Sequence, residues 1–227
     1  MRRTYLDWNA TAPLRPEARD AMIAAMDEVG NPSSVHGEGR KAKSIVEKAR
    51  AQVAAAVGCQ VAEVVFTSGA TEAASVLAHR PKGCDVMVDS TAHDCLWAHF
   101  DLSNVDERPE GPGHTLAMGV ANSETGVIAN IPKRNENGLF SYGARKANYL
   151  LLDAVQAVGR TPFAFSWSGA DLAIASAHKL GGPKGVGALI VKQGLDIEAL
   201  AIGGGQEMGR RSGTGKCHWN RGFRSRS

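Results

Sequence analysis

One short stretch of the chain carries side chains suited to covalent amine chemistry. Residues 172–175 form an apolar run that gives way to a Gly- and Pro-rich loop. The run predicts a buried strand, and the loop presents Ser176, His178 and Lys179 at its carboxyl end, where α/β proteins place reactive groups. A lysine partly withdrawn from water is neutral more often, and a neutral amine forms a Schiff base with an aldehyde. A solvated lysine and a phosphate clamp are the alternatives.

A second stretch is suited to binding an anion. Residues 63–67 predict an apolar strand, which leads through a glycine turn into a helix predicted over residues 73–79. Backbone N–H groups of Ala70 and Thr71, together with the Thr71 hydroxyl, would face a phosphate at such a helix start. The alternative is a turn that serves only as a helix cap.

Two more residues complete a hypothesis for this site. Asp153 ends a buried strand predicted at residues 149–153, and His93 lies in a polar stretch ahead of an apolar one. A pyridoxal phosphate (PLP) site needs a lysine, an anion cradle, a carboxylate beside the pyridine nitrogen and a flat group over the ring. Lys179, the turn at residues 68–71, Asp153 and His93 would meet these needs. The alternatives are a strand-end cap for Asp153 and a partly buried helix-start histidine for His93.

Other chemistries fit the residue types less well. His93, Cys95 and His99 are metal-ligand types, but their spacing matches no strong pattern, so no metal is expected. Glycine loops also occur in nucleotide-binding proteins. The chain lacks a G-x-x-x-x-G-K-[ST] motif, however, and Lys184 lies within Gly-Pro-Lys-Gly.

The elements that must position these residues alternate in type along the chain. Further helices are predicted at residues 17–28 and 38–57, and further strands at residues 4–7, 85–89 and 115–121. Alternation of strands and helices predicts a three-layer α/β/α domain with a mostly parallel, doubly wound sheet. Residues 132–148 fit neither period, so no element is predicted there.

Composition describes an ordinary soluble globular protein. The chain has 227 residues, of which 43% are hydrophobic and 22% charged, with a net charge of +3. Basic residues are spread along most of the chain, so no nucleic-acid partner is expected. Four cysteines without a C-x-x-C pair favour a reducing compartment, and no signal peptide or membrane-length apolar run is present. A cytoplasmic, non-membrane protein is therefore expected.

Seven motifs in order also give the chain a resemblance to a known family. They are Tyr5-Leu-Asp-Trp-Asn-Ala-Thr-Ala-Pro13, Asn31-Pro-Ser-Ser-Val-His36, Thr67-Ser-Gly-Ala-Thr-Glu72, Ala121-Asn-Ser-Glu-Thr-Gly126, Asp153-Ala-Val-Gln156, Ser176-Ala-His-Lys179 and Gly203-Gly-Gly-Gln-Glu-Met-Gly-Arg-Arg-Ser-Gly-Thr214. With them the chain resembles the cysteine desulfurases of the class V aminotransferase family. These are fold-type I PLP enzymes that take sulfur from L-cysteine for iron–sulfur cluster assembly or other sulfur-transfer pathways, sometimes through a sulfur-acceptor protein.

The resemblance implies a role for each matching residue. Lys179 would form the Schiff base with PLP and, with His93 stacked on the ring, would make the catalytic pair. Asp153 would pair with the pyridine nitrogen, and Gln156 would hydrogen-bond the ring oxygen. The phosphate would be held by side chains and backbone of Ala70, Thr71, Ser176 and His178. Thr214 would reach the phosphate of the partner subunit in a homodimer.

The chain departs from the family pattern in two internal places. It has Asn122 and Ser123 where the family has two asparagines before Glu-Thr-Gly, so the donor to the ring oxygen is expected to be weaker or to be Asn122. The segments on either side of His93 are shorter than in the family. One peripheral strand or helix is therefore expected to be trimmed.

The expected organisation is an N-terminal arm at residues 1–15, a PLP-binding large domain at residues 16–214 and an aberrant basic tail at residues 215–227. The family continues past Thr214 into a small domain that carries a persulfide-forming cysteine and an arginine for the substrate carboxylate. This domain is expected to be absent.

The tail itself suggests a frameshift. With a suitable codon choice, removing one nucleotide near Gly215 turns the tail into a sequence like that of the family. A nucleic-acid-binding arm is the alternative for the tail. The resemblance thus implies a truncated, catalytically impaired cysteine desulfurase. A non-catalytic PLP-binding remnant and another class V enzyme are the alternatives.

Overall fold

The computed structural model describes residues 3–79, 84–100 and 113–215. Its α-helices are α1 (Pro16–Met26), α2 (Gly37–Val57), α3 (Ala70–Ala74), α4 (Asp94–Trp97) and α5 (Phe165–Ser168). Its strands are β1 (Val64–Thr67), β2 (Val86–Val88), β3 (Thr115–Gly119), β4 (Phe140–Tyr142), β5 (Arg145–Ala147), β6 (Tyr149–Asp153), β7 (Leu172–Ser176) and β8 (Gly187–Val191). No helix in this part of the chain is long and apolar enough to cross a membrane.

Within the described residues, six strands form one sheet in the order β1-β8-β7-β6-β3-β2. Strands β2, β3, β6 and β7 pair in parallel, whereas β8 is antiparallel to both β7 and β1. The prediction of a mostly parallel sheet is confirmed. Because β1, β3, β6 and β7 run in the same direction, the residues that follow them all lie at one edge of the sheet.

The sheet separates two apolar clusters, which gives the three predicted layers. Strand β6 sends Leu150 and Leu152 to one face and Leu151 to the other, as the period of two requires. On the first face the cluster includes a stripe of α2, namely Val46, Ala49, Val53 and Val57. On the second face it includes residues of α3 and α4, among them Ala73, Ala74, Cys95 and Leu96. The α/β/α architecture is therefore confirmed.

Helix ends follow the chemistry of the sequence. Helix α1 begins at Pro16, a residue suited to a first helical turn, and α2 ends at Gly58 in the left-handed conformation with φ of 69°. A side chain at Gly58 would also collide with Ala164, since an added Cβ would lie 2.5 Å from the Ala164 Cβ. Gly58 thus both ends the helix and allows close packing. The helix predicted over residues 73–79 begins earlier, at Ala70, and continues as a 3₁₀ turn, Ser75–Leu77.

The strand predicted at residues 4–7 is wrong. Residues 3–7 carry no regular secondary structure. No described strand pairs with them, so they lack the hydrogen bonds of a sheet. The segment is instead held by a local turn, in which the Tyr5 hydroxyl donates to the carbonyl oxygens of Asp7 at 2.7 Å and Thr11 at 3.0 Å.

The unassigned stretch at residues 132–148 forms the β4–β5 hairpin. Phe140 and Ala147 are fully buried against the α2 face of the sheet. The Arg134 guanidinium stacks over the Phe140 ring at 4.4 Å and binds both Asp171 carboxylate oxygens at 2.6 Å. A hairpin therefore covers the sheet on the crossover from β3 to β6, where a helix is the common solution.

Of the tail predicted at residues 215–227, residues 216–227 lie outside the described residues. So does Cys217, and so do residues 101–112 in the segment between His93 and Asn122.

Candidate active site

A cavity of about 880 Å³ opens at the carboxyl edge of the sheet. It is lined by every residue predicted for the site except Thr214, namely Ala70, Thr71, His93, Asn122, Asp153, Gln156, Ser176, His178 and Lys179. The sheet brings them together because they follow β1, β2, β3, β6 and β7 at one edge. Their individual cofactor contacts remain predictions.

Lys179 ends the 3₁₀ turn, Ala177–Lys179, directly after β7. Its Nζ atom donates a hydrogen bond of 2.5 Å to the Asn9 carbonyl oxygen. Partial burial and then the charge of Arg160 lower the pKa of Lys179 below its ordinary value, against the carboxylates of Asp153, Asp7 and Glu124. The amine is therefore neutral more often than that of a solvated lysine, as covalent chemistry with an aldehyde requires.

The turn before α3 is tightly fixed and presents free helix-start N–H groups. Glu72 Oε2 accepts from the Ser68 N–H at 2.6 Å, and Thr67 Oγ1 donates to the Gly69 carbonyl oxygen at 2.9 Å. The first N–H groups of a helix, here those at Ala70 and Thr71, have no partner within the helix. A Cβ added at Gly69 would meet nothing within 4 Å, so the space beside the turn is open. An anion fits there.

A glycine on β8 allows this turn to pack on the sheet. A Cβ added at Gly187 would lie 2.6 Å from the Gly69 Cα and 2.9 Å from the Ala175 carbonyl oxygen. Both are backbone atoms, which cannot turn aside as the end of a flexible side chain can. Gly187 is therefore part of the site's support, although the sequence motifs did not single it out.

Ser176 and His178 line the cavity beside the lysine. Ser176 is buried at the end of β7, and His178 Nδ1 lies 3.1 Å from Thr11 Oγ1. Burial lowers the pKa of His178, and the charges of Lys179 and Lys184 lower it further. The His178 imidazole is therefore neutral at pH 7, and its Nδ1 atom forms a hydrogen bond with the Thr11 hydroxyl.

Asp153 is a buried carboxylate at the end of β6, with 8% of the residue exposed. Its Oδ1 accepts from the Val155 N–H at 2.9 Å, so it does cap the strand end. Burial raises the pKa of Asp153, and the Val155 hydrogen bond and the charges of His93 and Lys179 oppose that shift only in part. A carboxylate in this position gains from a cationic hydrogen-bond partner in the cavity.

His93 lies at the start of α4, as its structural alternative predicted, but the residue is exposed and not partly buried. Its Nδ1 accepts from the Cys95 N–H at 3.1 Å, so the neutral ring carries its proton on Nε2. The residue is exposed and lines the cavity, which leaves its ring available to a ligand. Helix capping and ring stacking are compatible in this position.

The Asn122 side chain shapes its own loop. Its Oδ1 accepts from the N–H groups of Glu124 and Thr125 at 2.9 and 2.8 Å, and its Nδ2 donates to the Thr91 carbonyl oxygen at 2.9 Å. This hydrogen bond uses one of the two Nδ2 protons, so Asn122 retains the other as a donor for a ligand.

Gln156 contacts two residues that were not predicted for the site. One is Asn9 of the N-terminal arm, and the other is Arg160. Gln156 Nε2 donates to the Asn9 carbonyl oxygen at 3.0 Å, and Gln156 Oε1 accepts from the Arg160 guanidinium. Asn9 lies within the motif at residues 5–13, and Arg160 follows Gln156 at a spacing of four. Nothing in the local sequence, however, indicates that residues about 150 positions apart meet.

Thr214 is exposed and does not line this cavity. Its loop is held by two arginine pairs: Arg50 binds Glu207 at 2.6 and 2.9 Å, and Arg211 binds Glu72 at 2.8 Å. Because Glu72 also caps the anion turn, the loop and the turn are joined. A role for Thr214 in a partner subunit stays a prediction.

The described cysteines are poorly suited to nucleophilic attack. Burial raises the pKa of Cys59 and Cys95 to about 12, with nearby carboxylates adding to the effect, and Cys84 is buried. A thiol with such a pKa is almost never the reactive thiolate at neutral pH. Among the described residues, no group of three His, Cys, Asp or Glu side chains could hold a metal ion.

Comparisons with known proteins identify the family of the chain. Residues 4–95 and 99–220 match the aminotransferase class-V family. The chain is 38% identical over 248 residues to a cysteine desulfurase of Frankia sp. (strain EuIK1), and the match covers 92% of this chain and 58% of that relative. The chain therefore spans less than two thirds of the relative's length.

Solved structures show the same fold. A NifS-like protein from Rickettsia africae is 30% identical with a TM-score of 0.83, covering 96% of this chain and 66% of that one. SspA in complex with cysteine is 25% identical with a TM-score of 0.83, covering 97% and 71%. These findings confirm the resemblance drawn from the motifs. The chain belongs to the aminotransferase class-V family.

Proposed function

We propose that this chain binds PLP in the cavity at the carboxyl edge of the sheet and activates L-cysteine there, as a catalytically impaired cysteine desulfurase-like protein. The observation that carries the proposal is the meeting of three groups in one cavity: the Lys179 amine, the buried Asp153 carboxylate and the anion turn before α3. The cysteine desulfurase relative and the cysteine-bound SspA support the choice of substrate.

The residues present fit PLP on the evidence of this structure. The turn at residues 68–71 offers unpaired helix-start N–H groups beside open space, which suits the phosphate. Asp153 is a buried carboxylate whose pKa is raised by burial and only partly restored by its neighbours, which suits a protonated pyridine nitrogen as a further partner. Lys179 has a lowered pKa, which suits an amine that reacts with an aldehyde. Each polar end of the cofactor thus has a matching group.

When bound, PLP supplies an electron sink for negative charge at the substrate α-carbon. The chain's own residues would bind the cofactor and move the α-proton. Asp153 would keep a proton on the pyridine nitrogen, His93 would hold the ring flat against its imidazole, and the 68–71 turn would fix the phosphate. Lys179 Nζ would supply the reactive amine and, when free, would accept and return the α-proton, which its lowered pKa favours.

Sulfur transfer also needs a thiolate and a cation for the substrate carboxylate. The raised pKa values of Cys59 and Cys95 make both unsuited to the first role. We therefore infer that full desulfuration depends on groups other than the described cysteines. A homodimer, in which Thr214 would serve the partner's phosphate, and a sulfur-acceptor protein belong to the same proposal.

The test measures two steps separately in PLP-loaded protein. Exchange of the L-cysteine α-proton with deuterium, followed by NMR, reports on activation at Lys179 and Asp153, while sulfide release reports on sulfur transfer. We expect exchange in the parent, its loss in Lys179→Ala, and little or no sulfide from the 227-residue chain. A Lys43→Ala variant, changed on the exposed face of α2, is the control.

Each contrary result has its own meaning. Exchange that persists in Lys179→Ala would exclude Lys179 as the proton acceptor, and absence of both PLP binding and exchange in the parent would contradict the proposal. Rapid sulfide release by the parent would show that a thiol within this chain suffices, and Cys95, which lines the cavity, would be the first to replace.

A further inference from the structure

The Arg160 guanidinium joins three segments around Lys179. Its Nη2 atom donates to the carbonyl oxygens of Trp8 and of Lys179, both at 2.9 Å. Its Nη1 atom donates to Asn9 Oδ1 at 3.0 Å and to Gln156 Oε1. One side chain therefore binds the N-terminal arm, the turn after β6 and the turn after β7.

Every one of these partners is a neutral oxygen atom. Other arginines of the fold pair with carboxylates: Arg50 with Glu207, Arg134 with Asp171 and Arg211 with Glu72. Across residues 3–79, 84–100 and 113–215, no carboxylate forms an ion pair with Arg160, and burial alone lowers its pKa. Because arginine remains protonated in proteins, a positive charge without a described counter-ion lies beside the cavity.

Asn9 connects this arrangement to the lysine amine. The Asn9 carbonyl oxygen accepts from Lys179 Nζ at 2.5 Å and from Gln156 Nε2 at 3.0 Å. The Asn9 side chain also contacts the loop after β3, where Nδ2 donates to the Ser123 carbonyl oxygen at 2.9 Å. The position of the arm therefore sets where the free Lys179 amine points.

We propose that Arg160 is a positioning residue for Lys179: it fastens the Trp8–Asn9 segment across the lysine and keeps an unneutralised positive charge beside the amine. A second positive charge on Nζ is disfavoured next to the first. The lowered pKa of Lys179 agrees with this, since burial is its largest cause and the Arg160 charge the next. The carboxylates facing Lys179 from β6, the arm and the loop after β3 act in the opposite direction; they are Asp153, Asp7 and Glu124.

This inference rests on the proposed function in one respect: the Lys179 amine matters because it would react with PLP. A purely structural Arg160 would hold the arm without changing how Lys179 titrates. The two roles are separated by the pH profile of the amine itself, which can be measured without PLP. Failure of PLP binding would therefore leave the result on Arg160 intact.

The experiment labels PLP-free protein with trace acetic anhydride between pH 6 and 11 and quantifies acetyl-Lys179 by mass spectrometry. Exposed Lys43 in the same sample is the internal reference, and chymotryptic cleavage at Trp8 reports on the arm. Arg160→Gln removes both the positive charge and the paired N–H donors of the guanidinium. Arg160→Lys keeps a positive charge but loses the paired donors. Arg19→Gln, at an exposed position on α1, is the control.

In Arg160→Gln we expect the Lys179 titration midpoint to rise, so that labelling at pH 8 falls about three- to tenfold, since one pKa unit changes the neutral fraction tenfold. Cleavage at Trp8 should become faster. Arg160→Lys should show faster cleavage with a smaller change in labelling. A Lys179 profile in Arg160→Gln that matches the parent and Arg19→Gln would overturn the proposal. If Arg160→Gln shows no cooperative unfolding, the variant is not natively folded and Arg160→Lys is used in its place. Cleavage at Trp8 and labelling of Lys179 that both match the parent in Arg160→Lys would then overturn the proposal.

Discussion

At the scale of single residues, the site contains two ionisable groups, Asp153 and Lys179, whose charged forms are disfavoured by burial. Asp153 carries a raised pKa and Lys179 a lowered one, and burial is the largest cause of both shifts. Each group is thus destabilised in its charged form until a partner arrives. Such opposed shifts in one cavity are typical of functional sites.

Asp153→Asn tests the cost of that buried charge. Below about pH 4 the carboxyl is protonated in both the folded and the unfolded chain, so no penalty arises. As pH rises through the raised folded pKa, the parent loses stability and the variant does not. We therefore expect PLP-free Asp153→Asn to have the higher free energy of unfolding at pH 7, with the difference shrinking as pH falls through about 4. Urea unfolding at several pH values measures this.

The control for that comparison is Asp20→Asn, at an exposed position on α1. It should leave the pH dependence unchanged. With PLP added, the order should reverse, because the parent gains a cationic partner for Asp153 and the variant does not. A variant that is less stable than the parent at pH 7 without PLP would show that the Asp153 charge is already compensated.

The sequence predicted the residues that follow strands and missed those that act across the chain. Lys179, Asp153 and the 68–71 turn were predictable because each directly follows an apolar run, and parallel strands place such residues at one edge. Arg160 and Asn9 were not, because their contact joins positions 151 residues apart. No periodicity or spacing encodes a contact of that kind.

At the scale of elements, the anion turn depends on the strand behind it. In Gly187→Ala the new Cβ would overlap the Gly69 Cα at 2.6 Å, so the turn must move or β8 must shift. We expect PLP affinity to fall at least tenfold, because the displaced turn would no longer present its N–H groups to the phosphate. The PLP-free protein should keep its helix and strand content, which distinguishes a local displacement of the turn from unfolding. Fluorescence titration with PLP and circular dichroism measure the two properties.

Gly37→Ala is the matched control, since a Cβ there meets nothing within 4 Å and its φ is ordinary. It should leave PLP affinity unchanged. Unchanged affinity in Gly187→Ala would show that the turn does not hold the phosphate.

Element prediction succeeded where burial is periodic and failed where strands are short or unpaired. The α2 stripe and the runs of β6 and β7 were evident, and each forms the predicted element. The β4–β5 hairpin has three-residue strands, too short for a period to be detected, and β8 was obscured by the glycine loop before it. The strand predicted at residues 4–7 failed because strand formation depends on a neighbour, which local sequence does not specify.

At the scale of the whole molecule, the sheet supplies one wall and the N-terminal arm supplies another. Residues 8–12 reach the turn after β7, where the Ala12 N–H donates to the His178 carbonyl oxygen at 2.9 Å. The loop at residues 203–214 is fastened to α2 and to the anion turn through Arg50 and Arg211. The segments at both ends of the described chain therefore converge on the same edge of the sheet.

The central claim is that Lys179 is the amine that reacts with PLP. The direct measurement is to add PLP to the purified protein, reduce it with borohydride and locate the labelled lysine by peptide mapping. We predict one pyridoxyl group, on Lys179, and none in Lys179→Ala. A label on Lys184, which also lines the cavity, or no label on the folded parent, would contradict the account.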